Sequence, residues 1–182
     1  MAERQLTMEE KWASMPLRDL VMKALQWGWL DIFLFSKVLI EKFGKEEARR
    51  LIEKARVDYN YKRGRAEAEK LGNPQGVDAY MEKMLEKQNL QPLGADVKIT
   101  ERTKTKIVFN TAPCIIADAY KALAADPRIV EMFGEEAIEV AKAHCTHDRG
   151  WANGFDPKMK FQMTKFLLDG DDLCEFVAET EE

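Results

Sequence analysis

Both histidines of the chain and one of its three cysteines fall within Ala143-His144-Cys145-Thr146-His147-Asp148, and Arg149 follows at once. A thiol, an imidazole and a carboxylate held together are the parts of a nucleophile, its base and the acid that orients that base. Continued as one helix from the residues before it, the segment sets Ala141, Cys145 and Asp148 on a shared face. His144 then lies beside them at four-residue spacing from Asp148, and His147 points elsewhere unless the helix ends before it. Ile138 and Ala141 belong to an apolar stripe, so Cys145 and Asp148 look inward. A carboxylate buried without a partner costs several kcal/mol, roughly, so Asp148 requires one.

Three arrangements supply that partner. Asp148 can cap the loop Arg149-Gly150-Trp151 or pair with Arg149, leaving Cys145 as a small core hydrophobe. Alternatively, Cys145 is a nucleophile, His144 its base and Asp148 the orienting acid, with Arg149 holding a substrate carboxylate in its planar fork. In the third arrangement Cys145, Asp148 and a histidine bind a divalent transition metal at a site completed by distant residues, with Cys114, Cys145, His147 and Cys174 as the candidate ligands beside the carboxylate. The spacing offers neither a CxxC pair nor HExxH for it. Cys114 follows Thr111-Ala112-Pro113 at a strand-to-helix junction, where free backbone N–H groups can lower a thiol pKa, which makes it a second nucleophile candidate. Cys174 shares a strand face with Phe176, as a packed core residue does.

The elements that must position these groups divide the chain in two. Leu17, Leu20, Val21, Ala24 and Leu25 recur at helical spacing, and the pattern runs on through Leu30, Phe33, Leu34 and Val38 to Phe43. Pro16 suits the first turn, with Ser14 as a cap, and Gly44 the stop, while Gly28 invites a kink. A second helix over 45–71 turns Ala48, Leu51, Ile52, Ala55 and Tyr59 inward and ends at Gly72-Asn73-Pro74. A third spans about 77–88, before Pro92-Leu93-Gly94. Beyond that point Val97, Ile99, Ile107, Phe109 and Thr111 alternate with polar residues, as half-buried strands do, around a charged turn at 101–106. Helices follow over 114–124 and from Asp126-Pro127 or Gly134 to about Asp148. Met159, Phe161 and Met163 then alternate, and Phe166 and Leu168 continue after a change of phase that implies a bulge. Gly170-Asp171-Asp172 turns the chain into a last strand with Cys174, Phe176 and Ala178 on one face. The expected fold is α+β in a single domain: a helical half (1–92) packed against a small antiparallel sheet with two helices (93–182).

Composition narrows the function. A net charge of −4, with 46% hydrophobic and 33% charged residues, suits a globular chain and gives no basis for nucleic-acid binding. The one dense basic stretch, Lys62-Arg63-Gly64-Arg65, runs into Glu67 and Glu69 and reads as a solvated helix face. The apolar run Trp27 to Ile40 is broken by Asp31, Ser36 and Lys37 and falls short of the roughly 20 residues a bilayer crossing needs. Three cysteines without a secretory signal point to the cytoplasm and free thiols. Trp27 and Trp29 stand about 200° apart on a helix, so one packs inside and the other reaches the surface or a second copy, as in a homo-oligomer.

Several of these residues also carry a likeness. Ala112-Pro113-Cys114 opening a helix, Cys145-Thr146-His147-Asp148, the turn Phe155-Asp156-Pro157, Thr164, and the ending Leu168-Asp169-Gly170-Asp171-Asp172-Leu173-Cys174-Glu175-Phe176 come in an order that resembles the L-2-amino-thiazoline-4-carboxylic acid hydrolase family. Gly44-Lys45-Glu46-Glu47-Ala48 and Gly64 fit its N-terminal half, so the likeness spans roughly residues 30 to 178. It implies a hydrolase acting on non-peptide C–N bonds, one that opens a cyclic amidine, a thiazoline ring bearing a carboxylate, to an N-carbamoyl amino acid. Attack on the C=N carbon would come from a cysteine or a metal-bound water. Cys114, Cys145, Asp148 and Cys174 match the family's order and form the implied site; His144 and His147 are placed there by type and position only. A different class competes. A helical half feeding a small sheet that ends Gly-Asp-x-x-Cys-x-Phe is also similar to V4R domains, which sense small molecules without turnover.

Overall fold

A computed structural model describes residues 14–87 and 96–181. Two long helices, α1 (Leu17–Phe43) and α2 (Lys45–Lys70), meet at Gly44, whose φ of 78° is open to glycine. α1 runs unbroken through Gly28, where nothing lies within 4 Å of the Cβ position. Pro16 is the residue before its first turn rather than within it. A third helix, α3 (Val77–Lys87), places Val77, Tyr80 and Met81 in the core. The expected boundary at Pro92-Leu93-Gly94 lies outside the described residues.

The second half keeps the expected alternation of strands, helices and strands but carries four helices where two were expected: β1 (Val97–Arg102), β2 (Lys106–Thr111), α4 (Ile115–Ala124), α5 (Pro127–Phe133), α6 (Glu136–His144), α7 (His147–Phe155), β3 (Lys160–Lys165) and β4 (Cys174–Glu179). The four strands form one antiparallel sheet in the order β1-β2-β4-β3. Thr111 faces Cys174 and Phe109 faces Phe176 across the central pair, which puts Cys174, Phe176 and Ala178 on the covered face. Phe109, Phe176 and Phe161 stack there with ring centroids 5.0 and 5.7 Å apart. The chain is therefore α+β, with a helical N-terminal half and a small antiparallel sheet.

Two further elements differ from the sequence reading. β3 has its bulge at Met163/Lys165, but the chain then leaves the sheet in a short 3-10 turn (Leu167–Asp169), where the Phe166 N–H donates to Asp171 Oδ2 at 2.6 Å. The buried stripe of α2 is Ala48, Ile52, Asn60, Gly64 and Ala68, while Tyr59 is exposed. These positions fall on a four-residue spacing, with Arg56 between Ile52 and Asn60, and are mostly small, so another helix can come close. That helix is α7. A Cβ on Gly64 would meet the backbone of Trp151 and Phe155; one on Gly150 would meet the backbone of Val57; one on Gly154 would meet that of Tyr61. α2 and α7 touch main chain to main chain, and the close fit fixes where α7 begins.

Candidate active site

The start of α7 is where the reactive residues collect, and it is a start because α6 stops early. The expected single helix through Asp148 ends at His144, with Cys145 as its last cap and Thr146 as the link. The Thr146 hydroxyl donates to Ala143 O at 2.9 Å, and Arg56 of α2 donates from Nε to His144 O at 3.0 Å. Carbonyls that a continuing helix would have used are thus satisfied from outside it. Arg56 is distant in sequence, so local pattern could not reveal this break.

The break redistributes the histidines. His144 turns toward α1, where its Nε2 lies 3.2 Å from Ser36 Oγ. The Ser36 hydroxyl already donates to Ile32 O at 2.8 Å, so its oxygen accepts from His144, which must carry its proton on Nε2. Burial, with the nearby Arg56 charge, lowers the His144 pKa from 6.5 to about 4. His144 is therefore a neutral, packed residue facing α1 instead of the expected neighbour of Asp148. His147 opens α7, and its Nε2 lies 3.4 Å from Asp148 Oδ1, so the imidazole beside the carboxylate is the other one.

The three thiols and Asp148 do lie within electrostatic reach of one another. Burial pushes the Cys145 thiol far up, and the Asp148 charge, Cys114 and Cys174 push it further. Burial raises Cys114 as well, against the lowering effect of the Ala117 and Ile116 N–H groups at the start of α4; Asp148 adds to the rise. The helix start thus fails to activate Cys114, because desolvation of the thiolate outweighs the N–H groups. Burial takes Cys174 to about 11, opposed by the Leu167 N–H, which lies 3.4 Å from Sγ, and reinforced by Cys114 and Asp148. All three are thiols at neutral pH.

A cavity of about 270 Å³ opens beside this group, lined by Cys145, Thr146, Asp148 and Arg149 from the α6–α7 link and by Phe161, Gln162, Met163 and Phe176 from the sheet. One wall is polar and charged, the other aromatic and apolar, which suits a small flat molecule with an ionic edge. Cys114 and Cys174 are not among its lining residues. Two tyrosines that the sequence reading did not single out stand close by. Tyr80, fully buried, feels the Asp148 charge; Tyr120 feels Cys145 and Arg56 and stacks on Trp29 at 4.1 Å. Neither hydroxyl has a hydrogen-bond partner among the described residues. Also among the described residues, no three His, Cys, Asp or Glu side chains are grouped to hold a metal ion.

Residues 30–177 match the family model of L-2-amino-thiazoline-4-carboxylic acid hydrolase. The chain belongs to that family. The match covers the break, the cavity and all three cysteines. No match was found among curated proteins. Among solved structures, a crystal structure of the phenol-responsive sensory domain of the transcription activator PoxR, with phenol, is similar to this member of the hydrolase family. Its TM-score is 0.51 at 15% identity, over 82% of this chain and 73% of that one. At that identity the likeness is one of fold. No helix among the described residues is long and apolar enough to cross a membrane.

Proposed function

We propose that the chain hydrolyses a cyclic amidine bearing a carboxylate, in the cavity between the start of α7 and the sheet. The observation that carries this reading is the placement of Cys145, Asp148 and Arg149 on one wall of that cavity. A protonated amidine is a flat cation, and Asp148 is the carboxylate that pairs with it; Arg149 takes the substrate carboxylate in its fork. The ring lies against Phe161, Met163 and Phe176. Cys145 rests as a thiol, and a bound cation beside it would reverse part of what burial and Asp148 do to its pKa.

In the first step Cys145 gives its proton to the His147–Asp148 pair, and Sγ adds to the amidine carbon. The ring C–S bond breaks and the departing sulfur takes that proton. Water then adds to the same carbon, Cys145 leaves as a thiol, and a carbamoyl group remains. Both nitrogens stay on the carbon in an N-carbamoyl product, so the ring bond that opens is the one to sulfur, and the expected C–N cleavage gives way to C–S cleavage. His147 replaces His144 as the imidazole in this scheme, because His144 faces Ser36. The metal-water route has no ligand cluster to draw on among the described residues.

The test is incubation with 2-aminothiazoline-4-carboxylate, followed by mass spectrometry for addition of one water. Wild-type protein should convert it, Cys145→Ala should abolish turnover, and Asp148→Asn should raise KM and lower kcat. Full activity in Cys145→Ala would remove the thiol from the mechanism. A second reading, ligand binding without turnover, is favoured by the fold shared with the phenol-bound sensory domain and by the aromatic wall of the cavity. Calorimetry with the same thiazoline and with phenol separates the two: saturable binding with no product supports the second.

A further inference from the structure

α1 is apolar nearly all round, yet among its residues only Phe33 and Ser36 are fully buried. Its inner side meets α4, α6 and α2. Its outer side carries Leu17, Trp27, Leu34, Phe35 and Val38 at 55%, 73%, 42%, 71% and 58% exposure. With Leu20 and Ala24 they follow one stripe of the helix, about 30 Å long at the helical rise. Two large aromatics and three aliphatics so exposed leave on the order of 500 Å² of apolar surface, more than a single-chain protein commonly leaves in one patch.

The stripe is self-complementary in charge. Lys23 lies one turn before Trp27 and Asp31 one turn after it, both exposed on the same side. Eight residues apart, they cannot reach each other along one helix. Three other charges of α1 are engaged: Arg18 with Asp118 at 2.7 Å, and Lys37 with Glu41 at 3.6 Å. Lys23 and Asp31 have no ion-pair partner among the described residues.

We infer that α1 pairs with α1 of a second copy, antiparallel about a two-fold axis at Trp27. In that register Lys23 of each copy meets Asp31 of the other, twice, on either side of the paired Trp27 rings. Leu20 meets Leu34 beyond them and Pro16 meets Val38 at the ends. A register centred on Asp31 would set Asp31 against itself, and one centred between Trp27 and Asp31 would set Trp27 against Asp31. A parallel pair would set like charges together. Two such stripes bury about 1,000 Å² of apolar surface before the polar rim is counted, which brings the contact into the range of stable protein interfaces. The pairing leaves the cavity free, since α1 contributes no residue to its lining.

Sedimentation equilibrium of the full chain at micromolar concentration tests this, with a dimer expected at twice 21.0 kDa. Lys23→Glu and Asp31→Lys should each weaken association about tenfold or more by setting like charges together. Mixed one to one, these two variants should recover wild-type affinity as a heterodimer. The carboxylate introduced in one copy then meets the amine introduced in the other, and the unaltered Lys23 and Asp31 meet across the axis. Trp27→Asp should give a monomer with an unchanged circular dichroism spectrum. A monomeric wild-type chain would overturn the inference. So would a dimer that ignores the single charge changes, or one that the mixture fails to restore.

Discussion

Replacing Gly150 by alanine tests whether direct helix contact holds the candidate site. The added Cβ would lie 2.9 Å from Val57 Cα and 3.0 Å from its carbonyl carbon, with the carbonyl oxygen nearer still. Ordinary contact begins near 3.4 Å, and no rotamer can relieve a clash with main chain. α7 must move away from α2 by about 1 Å, and overpacking of this kind costs about 3 kcal/mol, the upper end of its usual range. For a chain of 182 residues that is a fall in Tm of roughly 6–12 °C. Asp148 and Arg149 directly precede Gly150 on the same helix, so the shift carries them with it, and a displacement near 1 Å can cost roughly 100-fold in turnover. The assay is thermal and urea unfolding at one chain concentration, alongside thiazoline hydrolysis. Gly28→Ala is the control: nothing lies within 4 Å of its Cβ position, so the change should stabilise α1 by about 0.5–1 kcal/mol. If Gly150→Ala unfolds within about 0.5 kcal/mol of wild type, a typical surface-substitution effect, the account of the seam fails.

His144 ties stability to pH. Its pKa falls from 6.5 to about 4 on folding, so the unfolded chain binds the extra proton between those values. Its contribution is complete above pH 6.5 and declines as pH falls toward 4, by about 3 kcal/mol in all. Urea unfolding at pH 7 and pH 5 should show a smaller acid loss in His144→Gln than in wild type; equal losses would refute the buried neutral imidazole. Cys174, raised to about 11 from 9.0, holds roughly 100-fold less thiolate at pH 8 than an unperturbed thiol. Iodoacetamide labelling read by mass spectrometry should find it correspondingly slow in native protein and fast in urea; rapid native labelling would contradict the burial.

Period alone was enough to place the four strands, though not the exit of the chain at Phe166. Val97, Ile99, Ile107 and Phe109 alternate in the sequence and do so in the strands, and Cys174, Phe176 and Ala178 share a covered face as their spacing implies. Trp29 packs on Tyr120 and Trp27 is exposed, as their angular separation requires. The cluster was legible as a set of residues but not as a geometry. Helical spacing through Asp148 set His144 beside the carboxylate, whereas His147 stands there, because α6 stops at His144 with Arg56 of another helix on its last carbonyl. The face of α2 was misjudged for a related reason. Hydrophobicity marks side chains that fill space, whereas this contact depends on positions that leave space empty, so Gly64 read as part of a solvated basic run.

Where two helices meet through their backbones, identity matters only at the positions that leave space, here Gly64 on α2 and Gly150 and Gly154 on α7. Gly150 and Gly154 must stay without side chains, yet Val57 and Tyr61 present carbonyls and α-carbons to them, atoms every amino acid possesses. The tyrosine ring is turned substantially to solvent, at 40% exposure. Substitutions confined to the side chains of Val57 and Tyr61 should therefore leave the cavity wall in register, whereas any side chain at Gly150 or Gly154 should displace it.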